Sequence, residues 1–318
     1  MNKSWNKLKL AIEKHRSSNN VFWKVLVFGK DFFLKLHFFI SNFSAHYYII
    51  SFYHGFKNRK LFKNVKTYCM FIGYPRTSGT LIESLLDAHP NIIIANDLHT
   101  LKVIQKGRLR KNQLYYLLLN NSRNFTKNGR EETDYSYKVS NQWQGRFKNL
   151  EVIGDKKGGG STKILHKHPE LLKKLKDLVG VRIKFIHVIR NPYDTITTSA
   201  RGGNQLLRKV TNSYLKKKIG MHFFLVKTVD KLKKELDPKD IIDIRHESFI
   251  KNPKVELRKL CTFLGVEASN DYLNDCASIV YKTPHKSRYD VRWSPELISL
   301  VKKNINKFDF LKGYSYDN

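Results

Sequence analysis

The chain has 318 residues, of which 41% are hydrophobic and 13% aromatic, so it can bury a core and is not a disordered protein. Lys and Arg number 59 against 27 Asp and Glu, a formal net charge of +32. This charge attracts anions in general and does not by itself choose between nucleic acid, an acidic membrane, a polyanionic polymer and a nucleotide. The three cysteines, Cys69, Cys261 and Cys276, lack CxxC spacing, which predicts buried free thiols.

The first part of the chain differs from the rest in composition. Residues 1–60 are aromatic, basic and nearly free of Gly and Pro, which predicts a helical extension ahead of a domain over residues 61–318. Residues 36–56 carry no formal charge and are long enough to cross a bilayer, so a signal anchor is an alternative, but histidines, an asparagine and serines interrupt them. The polar start of the chain is not typical of a cleavable signal peptide. We therefore expect residues 1–56 to pack on the domain or to contact a membrane peripherally, and a cytoplasmic or membrane-associated location rather than secretion.

Short apolar runs alternate with helical patterns from about Lys66 onward. Five runs are strand candidates: TYCMFIGY, NIIIAN, LEVIGD, RIKFIHVIR and DIIDIR. The alternation predicts an α/β fold of three layers, a mainly parallel sheet with helices on both faces. Such sheets bind ligands at the carboxyl ends of their strands. The polar and basic segment 100–150, built around a Leu-rich helix, is predicted to be an insertion or cap over that end.

The sequence IGYPRTSGTL at residues 72–81 has the order strand, loop, helix. The loop combines a turn-forming proline with a cation, backbone amides and hydroxyls at the start of a helix, which together form an anion site: Pro75, Arg76, Thr77, Ser78, Gly79 and Thr80. The lysine of an ATP-binding P-loop is missing, and no carboxylate after a strand presents itself as a magnesium ligand. The loop therefore predicts a phosphate site that needs no metal.

A second strand ends in the same way. FIHVIRNPYDTITTSAR, residues 185–201, places Arg190 at a strand end and Thr198 and Ser199 on the helix that follows. The arginine and a hydroxyl from that helix can converge on one phosphate.

Together the two segments resemble the nucleotide-binding signatures of sulfotransferases that use 3′-phosphoadenosine 5′-phosphosulfate (PAPS). They are most similar to the branch with an arginine-containing loop, which includes tyrosylprotein and many carbohydrate enzymes. Four blocks carry the resemblance between about residues 66 and 315: GYPRTSGTLIESLLDAHPNI, VIGDKK, RHESFIKNPKVELRKLCTFLGV and HKSRYDVRWSP. The resemblance implies the P-loop-like sulfotransferase fold.

The resemblance also implies roles for individual residues. The loop would hold the 5′-phosphosulfate, with Arg76 also neutralising charge on the bridging oxygen, and Arg190 would hold the 3′-phosphate. His285, Lys286, Ser287 and Arg288 would close over the nucleotide as a basic lid. The implied donor-binding set is Arg76, Thr77, Ser78, Gly79, Thr80, Arg190, Thr198, Ser199, Lys286 and Arg288. The chain departs from the family in placing its loop glycine one position later and in having a threonine where the family has a serine.

A general base is expected just past the second strand, where the related branch has a glutamate. This chain offers Asp97 and, as the alternative, His99, and the anions of a bound donor are expected to raise the pKa of Asp97 toward neutrality. A helix N-cap is the plain structural alternative for Asp97. Lys156 and Lys157, after VIGD, are candidates to contact substrate or sulfate.

The function that these signals favour is transfer of a sulfuryl group from PAPS to a hydroxyl acceptor, without a metal. A basic rim favours a glycan acceptor, while a protein tyrosine or a lipid stays open. A P-loop-like nucleotide kinase would need the missing Walker lysine. A basic nucleic-acid-binding protein would explain the charge but not the two arginine-bearing strand ends, and no nucleic-acid-binding motif is present.

Overall fold

The computed structural model describes residues 45–132, 135–202 and 210–318. Most of the predicted extension, residues 1–44, lies outside the described residues. The chain from Gly55 onward forms one compact unit, and the chain before it forms another. Helix α1 (Ala45–Lys57) crosses this boundary. None of the helices in the described ranges is both long and apolar enough to cross a membrane.

The five predicted strands form one parallel sheet, as expected from the sequence. The described strands are β1 (Thr67–Ile72), β2 (Ile92–Asn96), β3 (Glu131–Glu132), β4 (Tyr135–Ser136), β5 (Val152–Lys156), β6 (Arg182–Ile189) and β7 (Ile241–Arg245). The order across the sheet is β2-β5-β1-β6-β7, and β3 and β4 form a separate small antiparallel hairpin.

Helices cover the sheet on both faces. They are α2 (Gly79–Asp87), α3 (Thr100–Lys106), α4 (Lys111–Lys127), α5 (Gly158–Lys167), α6 (Glu170–Val179), α7 (Pro192–Arg201), α8 (Asn212–Glu235), α9 (His246–Lys251), α10 (Pro253–Leu264), α11 (Asn270–Ser278) and α12 (Pro295–Ile305). Short 3₁₀ turns at Arg59–Phe62, Pro238–Asp240, Ser287–Asp290 and Asp309–Leu311 complete the described elements. The predicted three-layer α/β architecture is confirmed.

Strand β1 shows why the sheet needs both layers. All of its residues are buried, and successive side chains enter opposite cores: Tyr68, Met70 and Ile72 pack with α4, α5 and α6, whereas Cys69 and Phe71 pack with α2, α10 and α11. Side chains alternate between the two faces of a strand, so a strand that is apolar throughout must be covered twice. The three cysteines are buried free thiols, as predicted.

The strand order brings the two predicted anion-binding segments together. The chain leaves β1 for β2 and β5 on one side and continues to β6 on the other, so the sheet switches direction at β1. Strands β1 and β6 pair up to Ile72 and His187. The loop after β1 and Arg190 after β6 are therefore neighbours at the carboxyl edge.

The segment 100–150 is not a separate cap. The Leu-rich helix within it is α4, whose Leu114, Leu118 and Leu119 are buried in the core against the sheet. From the described part of this segment, Glu132, Tyr135 and Tyr137, in the hairpin of β3 and β4 and just after it, line the cavity described below. The prediction was wrong for the helix because its apolar stripe was interpreted as the centre of an insertion rather than as a face of the main core.

A buried ionic cluster holds the hairpin to the domain. Arg130, just before β3, is fully buried, adopts a left-handed φ of 53°, and pairs with Glu83 and Asp87 at 2.7 Å each. Ser122 and the backbone N–H of Gly145 donate further hydrogen bonds to Asp87. Burial raises the pKa of Glu83 to about 7 even though Arg130 opposes the shift. The cluster fixes where the hairpin leaves the domain.

Replacing Arg130 by methionine is expected to destabilise the protein by about 3–5 kcal/mol, because two carboxylates would be left buried without their cation. The exposed Arg123 on α4 provides the matched control, and Arg123→Met should change stability by less than about 0.5 kcal/mol. Urea denaturation followed by circular dichroism measures both. Equal stabilities of the two variants would show that the cluster does not hold the fold.

Candidate functional site

The loop after β1 is bent by two residues in left-handed conformations. Arg76 has a φ of 69° and Ser78, the N-cap of α2, a φ of 70°. Such conformations cost non-glycine residues about 1–3 kcal/mol each and are concentrated at ligand sites. The Thr77 hydroxyl donates to the carbonyl of Tyr74 at 3.3 Å, and the side chain of Arg76 is exposed. The side chain of the N-cap residue Ser78 accepts no hydrogen bond from the backbone N–H groups at the start of α2.

Arg190 is the buried cation of the site. Its side chain is only 8% exposed, and it donates to the carbonyls of Arg76 at 3.3 Å and His285 at 2.7 Å. Its Nε is buried without a hydrogen-bond partner, and no carboxylate among the described residues lies within ion-pair distance. Burial lowers its pKa, although the more distant Asp194 and Glu247 favour the charge. A buried guanidinium with an unused donor is a site for an anion.

Helix α7 brings one of its two predicted hydroxyls to the site. Thr198 lines the cavity, and its hydroxyl lies 2.9 Å from that of Ser287. Ser199 is half-buried but does not line the cavity. The threonine rather than the neighbouring serine therefore faces the site.

The segment predicted to be a basic lid divides into two parts. His285, Lys286 and Ser287 line the cavity. Arg288 does not: its side chain is 1% exposed, its guanidinium pairs with Asp194 at 2.7 Å, and it also donates to the carbonyl of Asn318. In the structure the ion pair of Arg288 with Asp194 holds the segment against α7, and the donor contact of Arg288 stays a prediction. Its position in a charge run gave no sign of this partner.

The loop, Arg190, Thr198 and the lid segment enclose one cavity of about 710 Å³. Arg76, Ser78, Gly79 and Thr80 line one side of it. Three residues of the predicted set, Thr77, Ser199 and Arg288, are absent from the lining. The structure therefore brings most of the predicted donor-binding residues together around a space of ligand size.

Asp97 and His99 lie past β2, as predicted, but neither lines the cavity. Asp97 is linked to it through Lys156, whose ammonium donates to the Asp97 carboxylate at 2.9 Å and to the Thr80 hydroxyl at 3.0 Å. Lys157 pairs with the other oxygen of Asp97 at 2.6 Å. Neither lysine lines the cavity, but Lys156 joins Asp97 to the loop, and the predicted contact of the two lysines with substrate or sulfate stays a prediction.

The turn that carries Asp97 and His99 is tightly held. Both residues have positive φ, 59° and 67°. The buried Asp155 accepts hydrogen bonds from the backbone N–H groups of Leu98 at 3.1 Å and Thr100 at 2.7 Å. This clamp is visible only in the structure.

The electrostatics of the turn differ from the sequence-based expectation. Burial alone would raise the pKa of Asp97, but Lys156 and Lys157 outweigh it and lower the pKa below its usual value. The expected rise in the pKa of Asp97 is therefore absent in the protein without a bound donor. Burial first, and then Lys157 and Lys102, lower the pKa of His99 to about 4, so His99 is neutral at pH 7.

Sequence reasoning missed several residues of the cavity. Glu132, Tyr135 and Tyr137 come from the hairpin and its extension, Tyr281 precedes the lid segment, and His246 begins α9. Tyr135 packs against Tyr137 and Tyr281 with ring centroids 4.6 Å and 5.1 Å apart. Neither a motif nor a strand end marked the hairpin residues, because the hairpin strands have only two residues each. His246 did have a signal, since it directly follows the predicted strand DIIDIR.

The three glycines that begin α5 are a further missed feature. A Cβ atom at Gly159 would lie 2.9 Å from Pro75 of the loop, and one at Gly160 would lie 3.1 Å from Nε2 of His99. The GGG run, which is readable in the sequence, thus lets α5 approach both the loop and the base candidates.

The fold and the site together define an α/β protein with a candidate anion-binding cavity at a switch point of a parallel sheet. No group of three or more His, Cys, Asp and Glu side chains in the described ranges is arranged to hold a metal ion. The family model described as "Sulfotransferase family" matches residues 70–270. The chain belongs to the sulfotransferase family, and its fold is the P-loop-like sulfotransferase fold.

The solved structures to which this chain is similar are distant from it in sequence. The sulfotransferase domain of the Synechococcus PCC 7002 olefin synthase is 16% identical over 78% of this chain and 96% of that chain, with a TM-score of 0.45. A mouse sulfotransferase complexed with PAP is 12% identical over 77% and 84%, with a TM-score of 0.43. Retinol dehydratase in complex with androsterone and the inactive cofactor PAP is 12% identical over 81% and 85%, with a TM-score of 0.40. Comparison with curated proteins gives no match.

Proposed function

We propose that this protein transfers a sulfuryl group from PAPS to a hydroxyl acceptor. The observation that carries the proposal is Arg190, a buried cation with an unused Nε–H beside a cavity that also contains the loop. A 3′-phosphate supplies the anion that this geometry lacks. The loop residues Arg76, Ser78, Gly79 and Thr80 offer a second anion site on the same cavity, which suits the 5′-phosphosulfate of one nucleotide.

The chain's own residues supply the cations and the base that the transfer requires. Arg76 and Lys156 stabilise the negative charge that develops on the departing nucleotide phosphate. Asp97 takes the proton of the acceptor hydroxyl as its oxygen bonds to sulfur, and adenosine 3′,5′-bisphosphate (PAP) leaves. Lys156 contacts both Asp97 and Thr80, so it holds the base at a fixed position relative to the donor loop.

A glycan rich in negative charge is the proposed acceptor. Lysines are clustered near Asp97: burial first, and then Lys157 and Lys102, lower the pKa of His99, and burial first, and then Lys102, lower the pKa of Lys106. A positive field of this kind favours an anionic polymer over a neutral alcohol. A screen with radiolabelled PAPS against anionic glycans, tyrosine peptides and lipids tests this choice.

Arg190→Ala is expected to weaken PAP binding by about 2–4 kcal/mol, the scale for removing one partner of a desolvated charge pair. The variant should also lose its preference for PAP over adenosine 5′-phosphate, since Arg190 is proposed to hold the 3′-phosphate. Isothermal titration calorimetry measures both ligands. Arg292→Ala, at an exposed position outside the cavity, should leave both affinities unchanged. If the wild type binds both nucleotides equally well, or is stabilised as much by ATP with magnesium, the donor assignment is wrong.

Asp97→Asn is expected to lower turnover by about 10²–10⁴-fold, the usual range for loss of a general base, with PAP affinity nearly unchanged. His99→Gln should cost less than about tenfold on the same scale. Because the pKa of Asp97 is lowered in the free protein, its carboxylate stays ionised until the pH falls below its usual range. The kcat/KM profile of the wild type should therefore show no acidic limb from Asp97 near neutral pH. A dead His99→Gln variant beside an active Asp97→Asn variant would reverse the two roles.

We also propose that the chain before Gly55 contacts membrane surfaces peripherally. In α1, Tyr48, Ile49 and Tyr53 are exposed, and the basic residues Lys57, Arg59 and Lys60 follow. Apolar side chains beside basic ones suit the surface of an anionic bilayer.

Deletion of residues 1–54 is expected to leave a folded domain, because the compact unit that contains the site begins at Gly55. Gly55 itself must be kept, since a Cβ there would lie 2.8 Å from the backbone of Gln113. PAP affinity should stay within about twofold, while sedimentation with anionic vesicles should fall. An insoluble truncated protein would place the boundary elsewhere, and unchanged sedimentation would remove the membrane role.

A further inference from the structure

One carboxylate lines a cavity that is otherwise suited to anions. The charged side chains in its lining are Arg76, Arg190, Arg201, Lys286 and, as the single acid, Glu132. Acidic groups near an anion site normally weaken anion binding. The position of Glu132 therefore calls for a functional explanation.

Glu132 accepts the hydrogen bond that a hydroxyl of the loop donates. The Thr80 hydroxyl donates to Oε2 of Glu132 at 3.3 Å while it accepts from the ammonium of Lys156 at 3.0 Å. A hydroxyl has one proton to donate. A phosphate or sulfate oxygen that accepts from Thr80 must take this proton from Glu132.

Two other carboxylates near the site have cations of their own, whereas Asp155 accepts hydrogen bonds from backbone N–H groups and Glu247 from the Asn191 N–H and the Tyr314 hydroxyl. Asp97 pairs with Lys156 and Lys157, and Asp194 pairs with Arg288. For Glu132, the described part of the chain provides no cation within the 4.0 Å ion-pair limit. Its negative charge therefore faces the cavity without local compensation.

The fold fixes this carboxylate in place. Two residues earlier, Arg130 is buried in its ion pairs with Glu83 and Asp87, and its carbonyl accepts from the backbone N–H of Tyr137. Glu132 itself pairs with Tyr135 in the hairpin. The anchored hairpin thus holds the Glu132 carboxylate next to the loop.

We propose that Glu132 is an affinity-determining residue that competes with the anionic groups of the nucleotide for Thr80 and thereby hastens product release. The inference rests on the proposed function, because it takes the 5′-phosphate of PAP as the group that replaces the carboxylate. When the nucleotide binds, Thr80 transfers its hydrogen bond to the phosphate, and the nearby carboxylate repels it. When the product leaves, Glu132 takes the hydrogen bond back, so that the loop is not left without an acceptor. Product release limits turnover in many enzymes, so a weaker product complex is useful.

The test is PAP binding to the full chain and to matched variants. Glu132→Gln removes the charge and keeps the shape, and Glu132→Ala removes any hydrogen bond that the amide of glutamine would itself make. Both should bind PAP about tenfold more tightly, the scale of one like-charge interaction near the surface. The gain should come from slower dissociation in stopped-flow experiments and should shrink with added salt. Glu131→Gln, one residue earlier and exposed, should stay within about twofold of the wild type.

Each outcome decides the matter. Equal affinity in the Glu132 and Glu131 variants overturns the proposal. Weaker binding by both Glu132 variants overturns it in another way, since Glu132 would then contact the nucleotide favourably. Failure of the wild type to bind PAP at all would instead reject the proposed function, which the wild-type titration alone shows.

Discussion

The site depends on one constraint, the burial of Arg190 at the end of β6 without a carboxylate against it. A guanidinium taken out of water is costly unless it is paired, and here its partners are two backbone carbonyls, from the loop after β1 and from the lid segment. These hydrogen bonds hold three distant parts of the chain in one arrangement and leave Nε unused. The fold therefore tolerates an unfavourable buried charge, which we propose is neutralised by the bound nucleotide.

The other ionic contacts of the domain support this arrangement. Asp194 pairs with Arg288, which does not line the cavity. Arg130 neutralises Glu83 and Asp87 in the core and so anchors the hairpin that completes the cavity wall. Arg190 differs from these two buried arginines in having no carboxylate within ion-pair distance among the described residues.

Lys156 links Asp97, the proposed base, to the loop that is proposed to hold the donor. Lys156 ends β5 between the loop and the turn after β2, and its ammonium contacts both Thr80 and Asp97. Because one ammonium group contacts both Thr80 and Asp97, an anion bound at the loop would change the electrostatic environment of Asp97. In the free protein burial raises the pKa of Asp97, but Lys156 and Lys157 lower it below its usual value. A bound anion that draws Lys156 toward itself would weaken this effect and let the pKa of Asp97 rise.

The sequence by itself determined the strands, the parallel sheet and the residues at the ends of β1, β2, β5 and β6. These features follow from local patterns: apolar runs of strand length, and polar residues at the points where such runs stop. It could not determine what Arg288 pairs with, that α4 belongs to the core, or that Glu132 faces Thr80, because each depends on residues far apart in the chain. Thr80 and Glu132 are 52 positions apart, and Asp194 and Arg288 are 94 apart. Only the tertiary structure decides such contacts, since a charged side chain carries no local signal of which opposite charge will lie beside it when the chain folds.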